Sequence, residues 1–248
     1  MTVQRWLSFG ASEIGPAHIA SGKPNQDSWA CFHHFGCDVL VVGDGVGSRD
    51  YSQLGSAAVC RAVDQVVSKR VFLGSPISLS DTEVRDALLN DIRDAWIDAI
   101  QPLSGSEATT TCLFALRDGS GTIWVSALGD GCAAAVMSDG TVQLLQEDKE
   151  DGFSNMTQSL MESTEASDWK TMDIDEKGCR AILLFTDGIA DDLVDIEGFA
   201  GGLVDSLCCL PAVIAASEAM SMLIDWPTPK HSDDKTLACL FKREYEDE

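Results

Sequence analysis

Three apolar runs in this chain each stop at an acidic turn: VLVVGDGVGS, VSALGDG and ILLFTDGIADD. Val39, Leu40, Val41 and Val42 are four apolar residues in succession. Such a run suits a strand covered on both faces better than one with a wet face. Asp44-Gly45 follows at once. Val125 to Leu128 leads into Asp130, and Ile182 to Phe185 leads into Asp187-Gly188. A fourth acidic pair, Asp233-Asp234, precedes the apolar segment from Thr236 to Phe241. Carboxylates at the ends of rigid strands can converge on one point, and convergent carboxylates call for a cation. The pattern points to an enzyme built around hard metal ions.

The 248 residues suffice for one large domain or two small ones, and no Pro/Gly/Ser-rich linker or repeat divides them. One domain over 1–248 is the simpler expectation. Seventeen basic against 40 acidic residues give a formal charge of -23, which argues against a nucleic-acid partner needing a basic face. Much of that charge reads as solvated surface, including EDKED at 147–151 and the tail EYEDE at 244–248. No apolar run reaches the roughly 18 residues of a membrane-spanning helix. MTVQRWLSFGASEIG at the start lacks a basic segment followed by an apolar one, so no signal peptide is expected. The nine cysteines include no CxxC, and Cys60, Cys112 and Cys239 sit among apolar neighbours. A reducing cytoplasm without disulfides is the expectation. Zinc is not expected, because the adjacent His33 and His34 have no cysteine pair at ligand spacing.

Strand-like segments come first, at 4–9, 28–35 and 38–43. Residues 52–70 place Leu54, Ala58, Ala62 and Val66 at helical spacing. A second helix is predicted after SDTE, where Ser80 and Glu83 fit a capping box, with Val84, Leu88, Ile92, Trp96 and Ile100 recurring every four residues. The segments 110–117, 122–128, 132–137 and 141–146 read as strands joined by Asp-Gly turns, Asp139-Gly140 being a plain one. Residues 147–178 are polar and aperiodic, a long connection of the kind that carries function, with Trp169 as its anchor or a partner contact. A strand at 180–186, helices at 193–207 and 212–224, and a last strand at 235–242 complete the chain. The order does not alternate as βαβ units. It predicts antiparallel sheets covered by helices, an α+β architecture.

Taken singly, each Asp-Gly is an ordinary turn. The ensemble is more specific. GASEIGPAHIASGKPNQDSWA, VVGDGVGS with SQLGSAAV, ATTTCLFAL, ALGDGCAAAV, LLFTDGIADDL and SDDKTLACLF follow one another from residue 8 to 241. In that order they resemble the motifs of the type 2C (PPM) metal-dependent Ser/Thr protein phosphatases, particularly short bacterial members. The resemblance implies a central antiparallel β-sandwich flanked by helices, four layers in all, with two Mg²⁺ or Mn²⁺ ions at one end and a third in some relatives. It implies Asp44 as the ligand bridging both ions and Gly45 as a carbonyl donor. Asp187 and Asp233 would complete the first ion's site, with Asp27 supporting it through water. Asp130, with Asp187, matches the position of a third ion, and Asp191 is a candidate for a further contact. Asp234 is expected behind Asp233. The segment 147–178 falls where the family has a flap.

Two positions depart from the family. An arginine that binds substrate phosphate is replaced by His18, and a Glu-Asp pair reads Gln26-Asp27. His18 could bind phosphate, protonate the leaving oxygen, or serve structurally. Gln26 can accept a hydrogen bond but brings no charge. Lys23 and Arg49 are nearby cations. The expected function is a cytoplasmic, monomeric phosphatase for phosphoserine or phosphothreonine in proteins, paired with a kinase. Its nucleophile would be a water bridging two ions. The acidic surface would favour basic phosphopeptides. The competing reading is a catalytically weak metal-binding module that recognises a phosphoprotein or kinase.

Overall fold

The apolar runs form the strands of two antiparallel five-stranded sheets packed face to face. The computed structural model describes residues 2–73, 79–146, 158–227 and 232–246. In chain order β1 (Thr2–Glu13), α1 (Pro16–Ser21), β2 (Asp27–His34) and β3 (Cys37–Asp44) lead into α2 (Ser52–Phe72) and α3 (Thr82–Ile100). Next come β4 (Cys112–Arg117), β5 (Thr122–Leu128), β6 (Cys132–Met137) and β7 (Val142–Leu145). The chain closes with β8 (Lys170–Asp175), β9 (Cys179–Phe185), α4 (Asp187–Ala190), α5 (Ile196–Leu207), α6 (Ala212–Ile224) and β10 (Lys235–Glu246).

One sheet has the order β1-β10-β9-β6-β7 and the other β2-β3-β4-β5-β8. Side chains alternate across a strand, so each continuous run serves two interiors. Val39 and Val41 of β3 pack with Val59, Val63, Ile92 and Trp96 of α2 and α3. Leu40 and Val42 point the other way and meet Leu184 of β9 and Leu240 of β10 in the layer between the sheets. On the far side Leu183, Phe185, Cys239 and Phe241 pack against Leu203, Val204, Ala215 and Leu223 of α5 and α6. The result is the expected four-layer α+β sandwich. Among the described residues no helix is long and apolar enough to cross a membrane.

Several expectations are corrected. The α3 cap is Asp81, whose side chain accepts from the Glu83 N–H, rather than Ser80. The stretch 147–178 is not aperiodic throughout: 158–178 holds a 3-10 turn at Ala166–Asp168 and the edge strand β8, while 147–157 lies outside the described residues. Trp169 is buried, edge-on to Phe114 at 5.9 Å, so it anchors this segment to the core. The helix expected from 193 begins at Ile196, where Asp195 caps it through the Gly198 N–H.

Antiparallel pairing brings one end of these strands together. Asp27 is the register partner of Asp44, Cys112 pairs with Leu128, and both Cys132 and Leu237 pair with Phe185. The turns that follow β3, β5 and β9, and those that precede β2, β6 and β10, therefore share one end of the sandwich.

Candidate metal centre

At that end lies a cleft of 160 Å³ lined by Asp44, Gly45, Thr111, Asp130, Asp187 and Asp233. The chain folds there for identifiable reasons. Asp44 ends β3, and its turn is clamped by ATTTC: the Asp44 N–H donates to Thr111 Oγ1 at 3.0 Å, and its carbonyl accepts from the Thr111 N–H at 2.7 Å and Thr110 Oγ1 at 2.9 Å. The Val46 N–H donates to the Thr109 carbonyl at 3.0 Å. Gly45 is confined from the other side, with its N–H donating to the Gln26 carbonyl at 3.0 Å. A methyl at Gly45 would come within 2.7 Å of the Ser52 carbonyl and 2.8 Å of the Gln26 carbonyl. The glycine is thus required by its neighbours' backbone, a reason the sequence did not reveal.

Asp27 opens β2 with Oδ2 accepting from Thr186 Oγ1 at 2.9 Å, and Thr186 in turn accepts from the Thr236 N–H at 3.0 Å. The residue before Asp187 and the first turn of β10 are thereby tied to Asp27. Asp191 follows Asp187 by one helical turn, its N–H donating to the Asp187 carbonyl at 2.8 Å. It is exposed and does not line the cleft, though its charge acts on Asp187.

These acids are held where ionisation is costly. Burial, then the charges of Asp234 and Asp187, pushes the Asp27 carboxyl up to about 7, against the opposing pull of hydrogen bonds from Thr236 and Thr186. Asp44 is raised well above its ordinary value by burial, then by Asp27, Asp187 and Asp233. Asp187 is raised to about 6 by burial and by Asp130, Asp233 and Asp191. Asp187 Oδ1 is buried without a hydrogen-bond partner, as is Gln26 Oε1, which stands 3.6 Å from where a Gly47 methyl would sit. Unpartnered buried acceptors beside crowded carboxylates fit a divalent cation with oxygen ligands, and the donor set suits Mg²⁺ or Mn²⁺.

His18 is placed differently from the cleft acids. Its Nδ1 donates to Asp234 Oδ2 at 2.8 Å, and it is not among the residues lining the cleft. Asp234 is a buried hub: Oδ1 accepts from the Gly15 N–H at 2.7 Å, and Oδ2 also from the Gln26 N–H at 2.6 Å. Donor atoms of His18, Asp233 and Asp234 lie within 4.8 Å of one another. Lys23 sits at the cleft rim, its Nζ donating to the Gly47 carbonyl at 2.8 Å. The Arg49 side chain is exposed. Sequence reasoning missed the Thr109–Thr111 clamp and the Thr186 bridge. The motif ATTTC was visible, but not the strand register that sets its hydroxyls against Asp44.

A family model described as protein phosphatase 2C matches residues 14–224. Among solved structures, the S. agalactiae serine/threonine phosphatase is similar at 16% identity, covering 96% of this chain and 99% of that one, with a TM-score of 0.69. A serine/threonine phosphatase from Staphylococcus aureus is 15% identical over 97% of this chain and 95% of its own, with a TM-score of 0.68. A bacterial serine phosphatase is 17% identical over 96% and 98%, with a TM-score of 0.65. These likenesses show a shared fold. No curated protein matches the sequence.

Proposed function

The chain belongs to the protein phosphatase 2C family, and from that premise we propose that it is a metal-dependent phosphatase hydrolysing phosphoserine or phosphothreonine in proteins. One observation carries the reading: Asp44, Asp130, Asp187 and Asp233 line one small cleft beside two buried oxygens that lack partners. Two Mg²⁺ or Mn²⁺ ions, when bound, supply a nucleophilic water at neutral pH and positive charge against the phosphoryl oxygens.

Asp44 would bridge the ions, with the Gly45 carbonyl, Asp187 and Asp233 completing their protein donors. Asp130 with Asp187 would hold a third ion, with Asp191, outside the cleft lining, adding its charge beside Asp187. Asp27, gripped by Thr186, keeps a second carboxylate directly across from Asp44. Lys23, whose ammonium is fixed to the carbonyl of Gly47, a residue of the cleft lining, would be a cation for substrate phosphate. His18 acts through Asp234, which holds the Gln26 and Gly15 backbone in place. Nine free cysteines suit a reducing cytoplasm. The expected partner is a phosphorylated protein, with a kinase as the opposing activity.

Purified protein should release phosphate from a phosphoserine peptide with Mn²⁺ and stop in EDTA. Asp44→Asn and Asp233→Asn should each lose most of the rate, about a hundredfold or more. Activity that survives both substitutions would sink the reading. Calorimetric Mn²⁺ binding without turnover on any phosphopeptide would instead support the regulatory module.

A further inference from the structure

A second cavity, of 460 Å³, lies between α5 and α6, on the outer face of the sandwich. Phe199, Leu203, Leu207 and Met222 line it with apolar surface, together with Gly202 and Glu218. On α6 the groove residues Glu218 and Met222 are four apart and so share one face.

The glycines of α5 sharpen the case. Gly198 is explained within the chain, since a methyl there would strike the capping Asp195 carboxylate at 2.2 Å. Gly201 and Gly202 are not: a methyl at either would meet nothing within 4 Å. Glycine is the poorest helix former after proline, and internal packing does not demand it at these two positions. Its effect at Gly202 is to keep the α5 wall bare, so that another chain can approach the helix closely.

The charge around the groove selects the occupant. The two helices carry Glu197, Asp205 and Glu218 and not one Lys, Arg or His. Arg180 pairs with Asp205 at 2.8 Å, whereas Glu218 has no ion pair among the described residues. Asp225 follows at the end of α6 on the Glu218 side. A second copy would bring like charge against like, and the formal charge of -23 opposes an anionic lipid surface. We infer that the α5–α6 groove docks a basic amphipathic helix of a partner protein. Its apolar ridge would lie on Phe199, Leu207 and Met222 and its Lys or Arg residues beside Glu218. The 12 residues of α5 span about 18 Å, room for a helix of about three turns. This inference is independent of the acidic cleft.

The probe is a fluorescein-labelled leucine/lysine amphipathic peptide of about 14 residues, about four turns, followed by anisotropy at about 0.15 M ionic strength. Controls are a peptide of the same composition with its apolar ridge scrambled and a leucine/glutamate counterpart. The full chain should bind the leucine/lysine peptide, and the scrambled and glutamate peptides at least about tenfold more weakly. Gly202→Leu fills the groove and should weaken binding by at least about tenfold while raising the melting temperature, because leucine is the better helix former. Glu218→Lys should weaken it comparably. Equal binding to Gly202→Leu or to the scrambled peptide would reduce the effect to bulk charge and overturn the inference. Absence of binding would overturn it too. Self-association that Gly202→Leu abolishes would assign the groove to a second copy instead.

Discussion

Asp27 makes the metal-free protein less stable as pH rises, and the size of the effect can be worked out. Its carboxyl moves from 3.8 to about 7 on folding, chiefly through burial. Between those values the unfolded chain has released the proton and the folded chain still binds it. Stability from this group is therefore fully present below about pH 4 and is lost as pH climbs through about 7. About three units at about 1.4 kcal/mol each make about 4 kcal/mol in total, of which about 3 falls between pH 5 and pH 8. For a chain of this size that is about 6–12 °C in melting temperature. Thermal unfolding in EDTA should show this fall. Saturating Mn²⁺ should remove the slope, since a cation favours the ionised carboxylates. Asp27→Asn should lessen the slope of the EDTA curve, because an amide keeps an acceptor for Thr186 without a charge; Asp44 and Asp187, themselves raised by burial, keep the remainder. Most surface carboxylates are already ionised above pH 5, so the general charge of -23 does little over this interval. A flat or rising EDTA curve for the wild-type chain would refute the reasoning, as would an unchanged slope in Asp27→Asn.

Lys23→Ala should raise KM for p-nitrophenyl phosphate about tenfold and leave the Mn²⁺ Kd from calorimetry unchanged; a weakened Mn²⁺ Kd would count against a phosphate role. Thr111→Val leaves the Asp44 N–H without its acceptor, so denaturant unfolding should show a loss of about 1–3 kcal/mol, with weaker Mn²⁺ binding. With a thiol reagent at pH 8 the exposed Cys209 should label first, while Cys60, Cys132 and Cys179, pushed up to about 12 by burial, should label only after unfolding.

The sandwich could be read from the sequence because burial on two faces leaves a mark that does not depend on tertiary detail. Val39 to Val42 and Ile182 to Phe185 must be apolar throughout, whichever layers they meet. Strand β8 left no such mark. It is an edge strand whose Asp173 and Asp175 face outward, and it reads as loop until it pairs with β5. Among the acids, motif order pointed to the four that line the cleft, and also to Asp27 and Asp191, which do not. What fixes them was hidden, because Thr111 acts on Asp44 and His18 on Asp234 across 67 and 216 residues. Contacts of that separation follow from register, and register follows from the whole fold. The cap at Asp81 instead of Ser80 is a displacement of one residue between two competent side chains.

The place of β10 has a consequence for the order of events during synthesis. It is an interior strand, inserted between β1 and β9, and pairs with β1 over twelve residues from Thr2↔Glu246 to Glu13↔Lys235. While a ribosome has yet to deliver residues 235–246, β1 has no neighbour on its only paired edge, and Asp233 has no strand to carry it to the other acids. The second sheet, β2 to β5 with α2 and α3, can assemble during elongation. In the first sheet β6, β7 and β9 can also pair during elongation, whereas β1 must wait for a contact spanning nearly the whole chain, the slowest kind to close. Cation binding by a nascent chain would then begin only once the last strand has left the exit tunnel.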